Sequence, residues 1–459
     1  MALFRQKIKI SFSKTRLNEI VNELRLYNAD LSRLSSQIRR LGANPPQHTS
    51  STISGAAISH LQITQQASKR LYDVLASRWS CDERIEHIAS MDLRVDESCR
   101  QAHSKVRFNL GVSCNQIAVQ SAPFWLSVES APTDRLAELP GNEHGEALQA
   151  TLEKLGATGK SVKFALPPSS KSIRAATSIP PSMQGPQLDL CTVEQLCKYV
   201  RRLGGHSTND PCIGFLEKTK TFKHFVYTDS ITEGTRKKPQ SLKQILEIVA
   251  DKKRDTDWIE KLQLARLLSL AVLRFHSTPW LSDAWGSSDV YFFGVAGSTQ
   301  TGRLLESPCL NAKFSHNPTN LQISRIQTGS SPASLASNQE LFSLGVVLIE
   351  LGYDAPFETV SQLDGLSVGT NAQVRDFLAA RRLGESVHKK LNMTYGRLVE
   401  KCLNCNFGVA TKLGDAELQS AVLIHVVNQL DVCLEQYKKF NSLAPDLRGG
   451  SGIQEQVFK

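Results

Sequence analysis

The sequence predicts an α+β protein in which a helical segment precedes a strand-rich part and a long helical part. Between residues 15 and 42, apolar residues recur at alternating steps of three and four, which indicates one face of a helix. Between residues 81 and 130, short runs rich in Val, Ile, Phe and Leu indicate strands. From residue 241 onward, helical patterns dominate. These observations predict the α+β class.

The amino-acid composition indicates the general kind of protein to expect. A chain of 459 residues exceeds the size at which one core stops growing, so we expect two or three structural units. The content of 41% hydrophobic and 21% charged residues is typical of a soluble globular protein. The sequence contains no run of about 18 uncharged apolar residues, which argues against a membrane-spanning helix. The N-terminus lacks the apolar core of a secretory signal, so a cytoplasmic location is expected.

Charge and cysteine content argue against two classes of function. The net charge of +10 is spread along the chain without a recognisable nucleic-acid module, so no nucleic acid is expected as a partner. In a reducing compartment most of the ten cysteines are expected to be free thiols. Cys402 and Cys405 form the one C-x-x-C motif, without the second pair that a zinc site needs. Both fit the inner face of a helix that ends near Asn406.

The first element is a helical hairpin within residues 1–80. A second amphipathic helix over residues 57–78 can pair with the helix over residues 15–42, but two helices cannot bury both apolar faces. The exposed remainder is predicted to dock elsewhere, within this chain or on a partner protein. Five residues on the apolar face of the helix over residues 15–42 represent this docking surface, and we call them the N-terminal stripe: Leu17, Leu24, Leu31, Leu34 and Ile38.

Residues 1–14 admit two interpretations. Apolar residues there alternate with Lys7 and Lys9, a pattern that allows peripheral contact with an anionic membrane surface. The segment is short, however, and the tail of a packed helix or an edge strand explains the same pattern. The second interpretation is the one that the pattern favours.

Residues 81–235 form the strand-rich part. Strands are predicted at 87–96, 105–114, 123–130 and 161–167, a short helix at 192–204 and a β-hairpin at 212–229. A Pro- and Ser-rich loop is predicted near residues 167–187.

Residues 236–445 form the helical part, and residues 446–459 are predicted to be a disordered tail. A short strand is expected at 290–293. The predicted helices cover about 241–250, 257–275, 338–352, 371–383, 386–404 and 415–440.

One phosphate-binding motif can be rejected. The segment 155–164, LGATGKSVKF, contains the end of a Walker A pattern, but Lys154 occupies the position of the first glycine. A helix is also predicted before the motif and a strand after it, whereas a phosphate cradle needs a strand, a loop and then a helix N-terminus.

Several motifs together resemble a fungal family of uncharacterised, protein-kinase-like domains. They are FHSTPWL (275–281), LFSLGVVLIEL (341–351), CLNCNFG (402–408), the hairpin CIGFLEKTKTFKHFVY (212–227) and the segment ASRWSCDERIEHIASMDLRV (76–95). The resemblance covers about residues 5–440. It implies a bilobal kinase-like fold, with a small β-rich lobe over residues 81–235 and a larger helical lobe over residues 236–445.

Members of that family often carry a HeLo-type N-terminal helical domain, which is linked in fungi to incompatibility and regulated cell death. This chain begins where such a domain would be ending. The expectation is that this member lacks the domain or that its start was assigned downstream.

Phosphoryl transfer requires a base Asp, two magnesium ligands and a small-lobe Lys. Counting from His276, the base position falls on Ala284 and the magnesium-binding Asn position on Asp289; a shift of one residue offers Asp283 with Ser288. Neither register supplies both residues, and no Asp-Phe-Gly occurs between residues 294 and 337.

For the phosphates, Lys163 is the candidate small-lobe lysine, with Glu194 as its candidate partner. The interpretation favoured for both residues is a position on the protein surface without a role in phosphate binding. The site candidates for a nucleotide are thus Asp283, Asp289, Lys163 and Glu194.

These residues predict a catalytically inactive kinase-like protein without a cofactor, which acts by binding unidentified proteins. One alternative is an atypical phosphotransferase that binds ATP and magnesium through Asp283 or Asp289. The other is a membrane-associated cell-death factor that uses residues 1–14.

Overall fold

A computed structural model describes the part of the chain that carries most of the motifs. The described residues are 55–79, 85–94, 105–116, 119–120, 123–133, 188–204, 212–228, 239–252, 256–293, 305–314, 331–362 and 371–443. The N-terminal stripe, residues 1–14, Lys163, the Pro- and Ser-rich loop and the tail at 446–459 lie outside these residues.

The helices follow the apolar periodicity of the sequence closely. The predicted helix at 57–78 is confirmed as the first of them, and those at 257–275 and 338–352 match within a residue or two. The helices are α1 (Gly55–Arg78), α2 (Leu196–Gly204), α3 (Leu242–Lys252), α4 (Trp258–Phe275), α5 (Gln339–Tyr353), α6 (Phe357–Gln362), α7 (Ala372–Ser386), α8 (Met393–Asn404), α9 (Ala416–Val422) and α10 (Asn428–Leu443).

Two predicted helices are interrupted. The helix expected over 386–404 is divided by a 3-10 turn at Val387–Lys389, and α8 starts anew because the Asn392 side chain accepts a hydrogen bond from the Tyr395 amide at 2.8 Å. The helix expected over 415–440 contains a π-helical segment at Leu423–Val427, which separates α9 from α10.

The strands form one antiparallel sheet, which confirms the α+β class. Its order is β5-β6-β4-β2-β1-β9-β8-β7, and β3 pairs with β2. The strands are β1 (Ile85–Asp92), β2 (Val106–Gln116), β3 (Val119–Gln120), β4 (Phe124–Pro132), β5 (Cys212–Leu216), β6 (Phe222–Thr228), β7 (Gln240–Ser241), β8 (Val290–Phe292) and β9 (Pro308–Phe314).

Strand β1 lies in the middle of this sheet and joins strands from distant parts of the chain. Ala89 of β1 pairs with Val112 of β2 on one side and with Ala312 of β9 on the other. The three strands predicted between 87 and 130 and the hairpin are confirmed. Strand β9 has no counterpart in the sequence-based expectations, yet it connects the early strands to β8 and β7.

Helix α5 is the centre of the helical packing. Residues Leu341, Leu344 and Leu348 are fully buried, and α5 contacts α4, α6, α7 and α8. A Cβ atom added to Gly345 of α5 would lie 2.7 Å from the Leu403 side chain, and one added to Gly384 would lie 2.5 Å from it. The absence of side chains at both glycines therefore lets Leu403 of α8 fit between α5 and α7.

One hydrophobic core runs through the sheet, α1 and the C-terminal helices. A second, smaller cluster consists of Trp125, Phe293 and Cys309, with the two rings meeting edge to face at 5.5 Å. Among the helices in the described residues, none combines the length and apolar character needed to cross a membrane.

Candidate functional site

The segment between α4 and β8 is the candidate functional site, because the candidates Asp283 and Asp289 belong to it. We call residues 276–289 the central loop. The buried helix α4 ends at Phe275, whose carbonyl accepts a hydrogen bond from the Thr278 hydroxyl at 2.6 Å. Ser277 adopts a left-handed conformation with φ of 55°, which turns the chain away from the helix axis.

His276 starts the central loop as a buried histidine. Its Nδ1 atom lies 3.1 Å from the Leu273 carbonyl and 3.3 Å from the Val272 carbonyl. Because carbonyl oxygens only accept hydrogen bonds, Nδ1 carries the proton, and Nε2 is a buried acceptor without a partner among the described residues. Burial lowers the pKa of His276 below the usual 6.5, so the neutral ring is the stable form at neutral pH.

Two indole rings fix the central loop to neighbouring helices. The Trp280 Nε1 atom donates a hydrogen bond to the Ser68 carbonyl of α1 at 2.9 Å, and its ring meets Tyr72 edge to face at 5.9 Å. The Trp285 Nε1 atom donates to the Glu340 carbonyl of α5 at 3.2 Å. Both rings are buried, so the loop is packed between α1 and α5.

Glu350 of α5 has a buried carboxyl that accepts a hydrogen bond from the end of the central loop. Its Oε1 atom accepts hydrogen bonds from the Ser287 hydroxyl at 3.0 Å and from the Phe357 amide at 2.9 Å. Its Oε2 atom is buried and has no partner among the described residues. Burial raises the pKa of Glu350 to about 7, against the lowering effect of the two hydrogen bonds.

The predicted nucleotide candidates have separate local roles. Asp289 is exposed and accepts a hydrogen bond from the Gly286 amide at 2.9 Å, which closes the turn before β8. Asp283 is exposed and faces Glu340, where it adds to burial in raising the pKa of the Glu340 carboxyl. Glu194 is exposed in the turn before α2, and no hydrogen bond or ion pair among the described residues joins it to the central loop.

The C-x-x-C motif lies at the end of α8. Cys402 is fully buried, and burial raises the pKa of its thiol. Cys405 ends the helix in a left-handed conformation with φ of 48°, and burial raises the pKa of its thiol as well. Both thiols therefore favour the protonated form, which is a poor metal ligand. In the described ranges, no three His, Cys, Asp or Glu side chains are arranged to hold a metal ion.

A buried ion pair that was not predicted from the sequence joins the start of α4 to the end of α5. Lys261 of α4 is only 2% exposed and pairs with Asp354, which follows α5 and also accepts a hydrogen bond from Thr256. The Lys261 ammonium lies 4.0 Å from the centre of the Trp258 ring. The signal was present, because Lys261 lies on the same helix face as the apolar residues Leu264 and Leu268.

Glu350→Gln is expected to remove a pH dependence of stability. The folded state raises the pKa of Glu350 from 4.5 to about 7, so it retains the proton more firmly than the unfolded chain does between these values. The free energy of unfolding of the wild type should therefore fall by up to about 3 kcal/mol from pH 4.5 to pH 7 through this group, and then level off.

The measurement is urea denaturation at pH 5 and pH 8. The glutamine variant retains the acceptor for Ser287 but cannot ionise, so it should gain stability relative to wild type at pH 8. Glu385→Gln, at an exposed position of α7, is the matched control and should follow the wild type. An equal difference between wild type and Glu350→Gln at both pH values would contradict the expectation.

The fold and the site define a mixed α+β protein in which a continuous antiparallel sheet and a bundle of helices are joined by a packed central loop. The chain belongs to the family described as "Domain of unknown function (DUF7580)", whose model matches residues 58–437. No curated protein matches the chain.

Proposed function

We propose that this chain is a catalytically inactive, kinase-like signalling or scaffold protein that acts in the cytoplasm by binding other proteins. Fungal incompatibility or defence is the setting that the sequence resemblance suggests for it. The proposal has two parts, an inactive central loop and a protein-binding surface, and each part is tested separately.

The observation that carries the first part is the use of the central loop's polar groups for internal contacts. His276 bonds to α4, Trp280 to α1, Trp285 to α5, Ser287 to Glu350 and Asp289 to Gly286. In an active kinase the corresponding loop directs an Asp to the acceptor hydroxyl and an Asn to magnesium. A loop whose groups hold its own packing supports a structural role.

The order of elements supports the kinase likeness itself. Strands β1, β2 and β4 precede the short helix α2, and the hairpin β5–β6 follows it. Helix α4, the central loop, β8 and the core helix α5 come next, in the order that a kinase would have.

The β1–β9 pairing supports inactivity. It ties a strand of the proposed small lobe to a strand that follows the central loop. Because the hydrogen bonds of this ladder join the two proposed lobes, they restrain the relative motion that opens and closes a nucleotide cleft.

No change in melting temperature is expected when the full chain is titrated with ATP, with or without magnesium. A ligand present at about 100 times its dissociation constant stabilises a protein by about 2.7 kcal/mol, which is readily detected. The measurement is thermal denaturation monitored by scanning calorimetry, with an active protein kinase as the positive control. A magnesium-dependent shift that disappears in Asp283→Asn or Asp289→Asn would replace the proposal with the atypical phosphotransferase.

Protein binding is expected to depend on the N-terminal stripe. Leu24→Asp combined with Leu31→Asp places two charges on the predicted apolar face and should abolish the binding of partner proteins. Asn22→Asp combined with Ser36→Asp is the matched control, because it adds the same charge on the opposite side of the predicted helix.

The measurement compares the proteins that co-purify with wild type, variant and control, together with the melting temperature of each. An unchanged set of partners and unchanged stability in Leu24→Asp/Leu31→Asp would refute the role of the stripe. Flotation of the chain with anionic vesicles, lost on removal of residues 1–14, would favour the membrane-associated factor instead.

A further inference from the structure

A cavity of about 350 Å³ lies between α1 and the β5–β6 hairpin, away from the central loop. Ligand sites in proteins typically have volumes of about 300–1,000 Å³, so this cavity is large enough for a small molecule. It is lined by Arg70, Asp73, Lys218, Thr219, Phe222 and His224.

His224 forms the buried wall of this cavity and is only 1% exposed. Its Nδ1 atom lies 2.7 Å from the hydroxyl of Ser130, which is itself fully buried. The Ser130 hydroxyl donates to Nδ1 in the tautomer of His224 that carries its proton on Nε2, and this is the tautomer that the proposed site uses.

The neutral tautomer of His224 then carries its proton on Nε2. Burial lowers the pKa of His224 to about 4, so the ring stays neutral at physiological pH. The hydrogen bond with Ser130 uses Nδ1, so the Nε2–H donor of His224 can bond to an acceptor group of a ligand in the cavity that His224 lines.

The cationic side chains of Arg70 and Lys218 lie at the mouth of the cavity. The Lys218 ammonium donates to the Asp73 carbonyl at 3.3 Å and pairs with no carboxylate among the described residues. The Arg70 guanidinium lies 3.7 Å from the Asp73 carboxylate, farther than a direct hydrogen bond. Two cations against one carboxylate leave an excess of positive charge at the mouth.

Phe222 supplies an apolar wall next to these donors. It is buried, and its ring stacks on the His224 ring with a centroid distance of 6.3 Å and an interplanar angle of 14°. An aromatic wall beside a cluster of donors fits a ligand with one anionic end and one organic part.

We propose that this cavity binds a small soluble phosphate monoester. The phosphoryl oxygens accept hydrogen bonds from Arg70, Lys218 and the Nε2–H of His224, and the organic part lies against Phe222. Phosphate has acceptors in several directions, which suits donors that approach from α1, from the hairpin turn and from β6. None of the residues that line the cavity belongs to the central loop.

The test is calorimetric titration of the full chain with phenyl phosphate and, separately, with inorganic phosphate. Both are expected to bind, phenyl phosphate more tightly because its ring contacts Phe222. Arg70→Gln and Lys218→Gln should each weaken binding about tenfold or more, the effect of losing one charge-assisted hydrogen bond. Both positions are exposed enough for the variants to fold.

Lys69→Gln and Lys220→Gln are the matched controls. They remove the same charge from exposed neighbours of Arg70 and Lys218 that do not line the cavity. Their affinities should stay within about twofold of wild type, since general attraction at the surface is weak and screened by salt.

A second readout reports on the buried donor. In nitrogen NMR spectra of the labelled imidazoles, the Nε2–H signal of His224 should shift when phenyl phosphate is added, in proportion to occupancy. The signal of the more exposed His388 should not move.

Three results would overturn the proposal. One is the absence of saturable binding of both probes at millimolar concentration. Another is an equal loss of affinity in the cavity variants and in their controls. The third is binding to phosphatidylcholine vesicles that contain phosphatidic acid, dependent on Arg70 and Lys218, without binding of either soluble probe; a lipid head group would then be the ligand.

Discussion

Replacement of Asp354 by asparagine is expected to lower the free energy of unfolding by about 3–5 kcal/mol, because it removes the carboxylate that pairs with the buried Lys261 ammonium. Lys261 is 2% exposed, and its pairing with Asp354 joins the start of α4 to the end of α5. Asparagine is the informative substitute. It tolerates the left-handed conformation of residue 354, which has a φ of 54°, and it can still accept the Thr256 hydrogen bond.

Chemical denaturation of three variants distinguishes the free energy of the ion pair from the free energy of the other contacts that each side chain makes. Lys261→Met should cost less than Asp354→Asn, because the remaining Asp354 is partly exposed and retains Thr256. The double variant Lys261→Met/Asp354→Asn should be more stable than Asp354→Asn alone, since it no longer buries an ammonium that has lost its Asp354 carboxylate. Additive losses in the double variant would contradict the existence of a coupled ion pair.

Trp280→Ala is expected to destabilise the protein by about 3–5 kcal/mol, the usual cost of removing a large aromatic side chain from a core. The substitution removes the edge contact with Tyr72 and the indole hydrogen bond to the Ser68 carbonyl. Since Trp280 holds the central loop against α1, the loop should also become more sensitive to proteases.

The size of the effect is checked by urea denaturation and the location by limited proteolysis. Trp280→Phe retains most of the buried area and loses the hydrogen bond, so its cost should be about 1–2 kcal/mol. Met393→Ala is the control for an apolar truncation at the surface, because Met393 is 55% exposed, and it should change stability by less than about 0.5 kcal/mol. Equal costs for Trp280→Ala and Met393→Ala would show that the loop is not packed on α1.

Helices and paired strands with clear periodicity were predictable from the sequence. Helix α1 and helix α5 were found within two residues because their buried positions repeat at helical spacing, as in Leu341, Leu344 and Leu348. The hairpin was found because two β-rich runs flank a short polar turn. Strand β9 was missed although Leu310, Ala312 and Phe314 alternate with Asn311 and Lys313, because the run is short; its pairing with β1 and β8 establishes it as a strand.

The candidate site was predictable only in part. The sequence located the central loop through the FHSTPWL segment, and it showed that neither register supplies a base Asp together with a magnesium-binding Asn. It offered Asp283 and Asp289 as candidates, but the ionisable group that the fold perturbs most clearly beside this loop is Glu350. That residue appeared in the sequence as one polar position within an apolar helix.

The sequence by itself determined the α+β class, the position of most elements and the motifs of the resemblance. These properties are local, because the spacing of apolar residues within one helix or strand is enough to show which of its faces is buried. The tertiary structure decided what each face is buried against: β9 beside β1, Lys261 beside Asp354, Ser287 beside Glu350, and His224 at the wall of a cavity formed with α1. Desolvation and pairing depend on groups that are distant in sequence, so the charge states of these residues follow only from the folded arrangement.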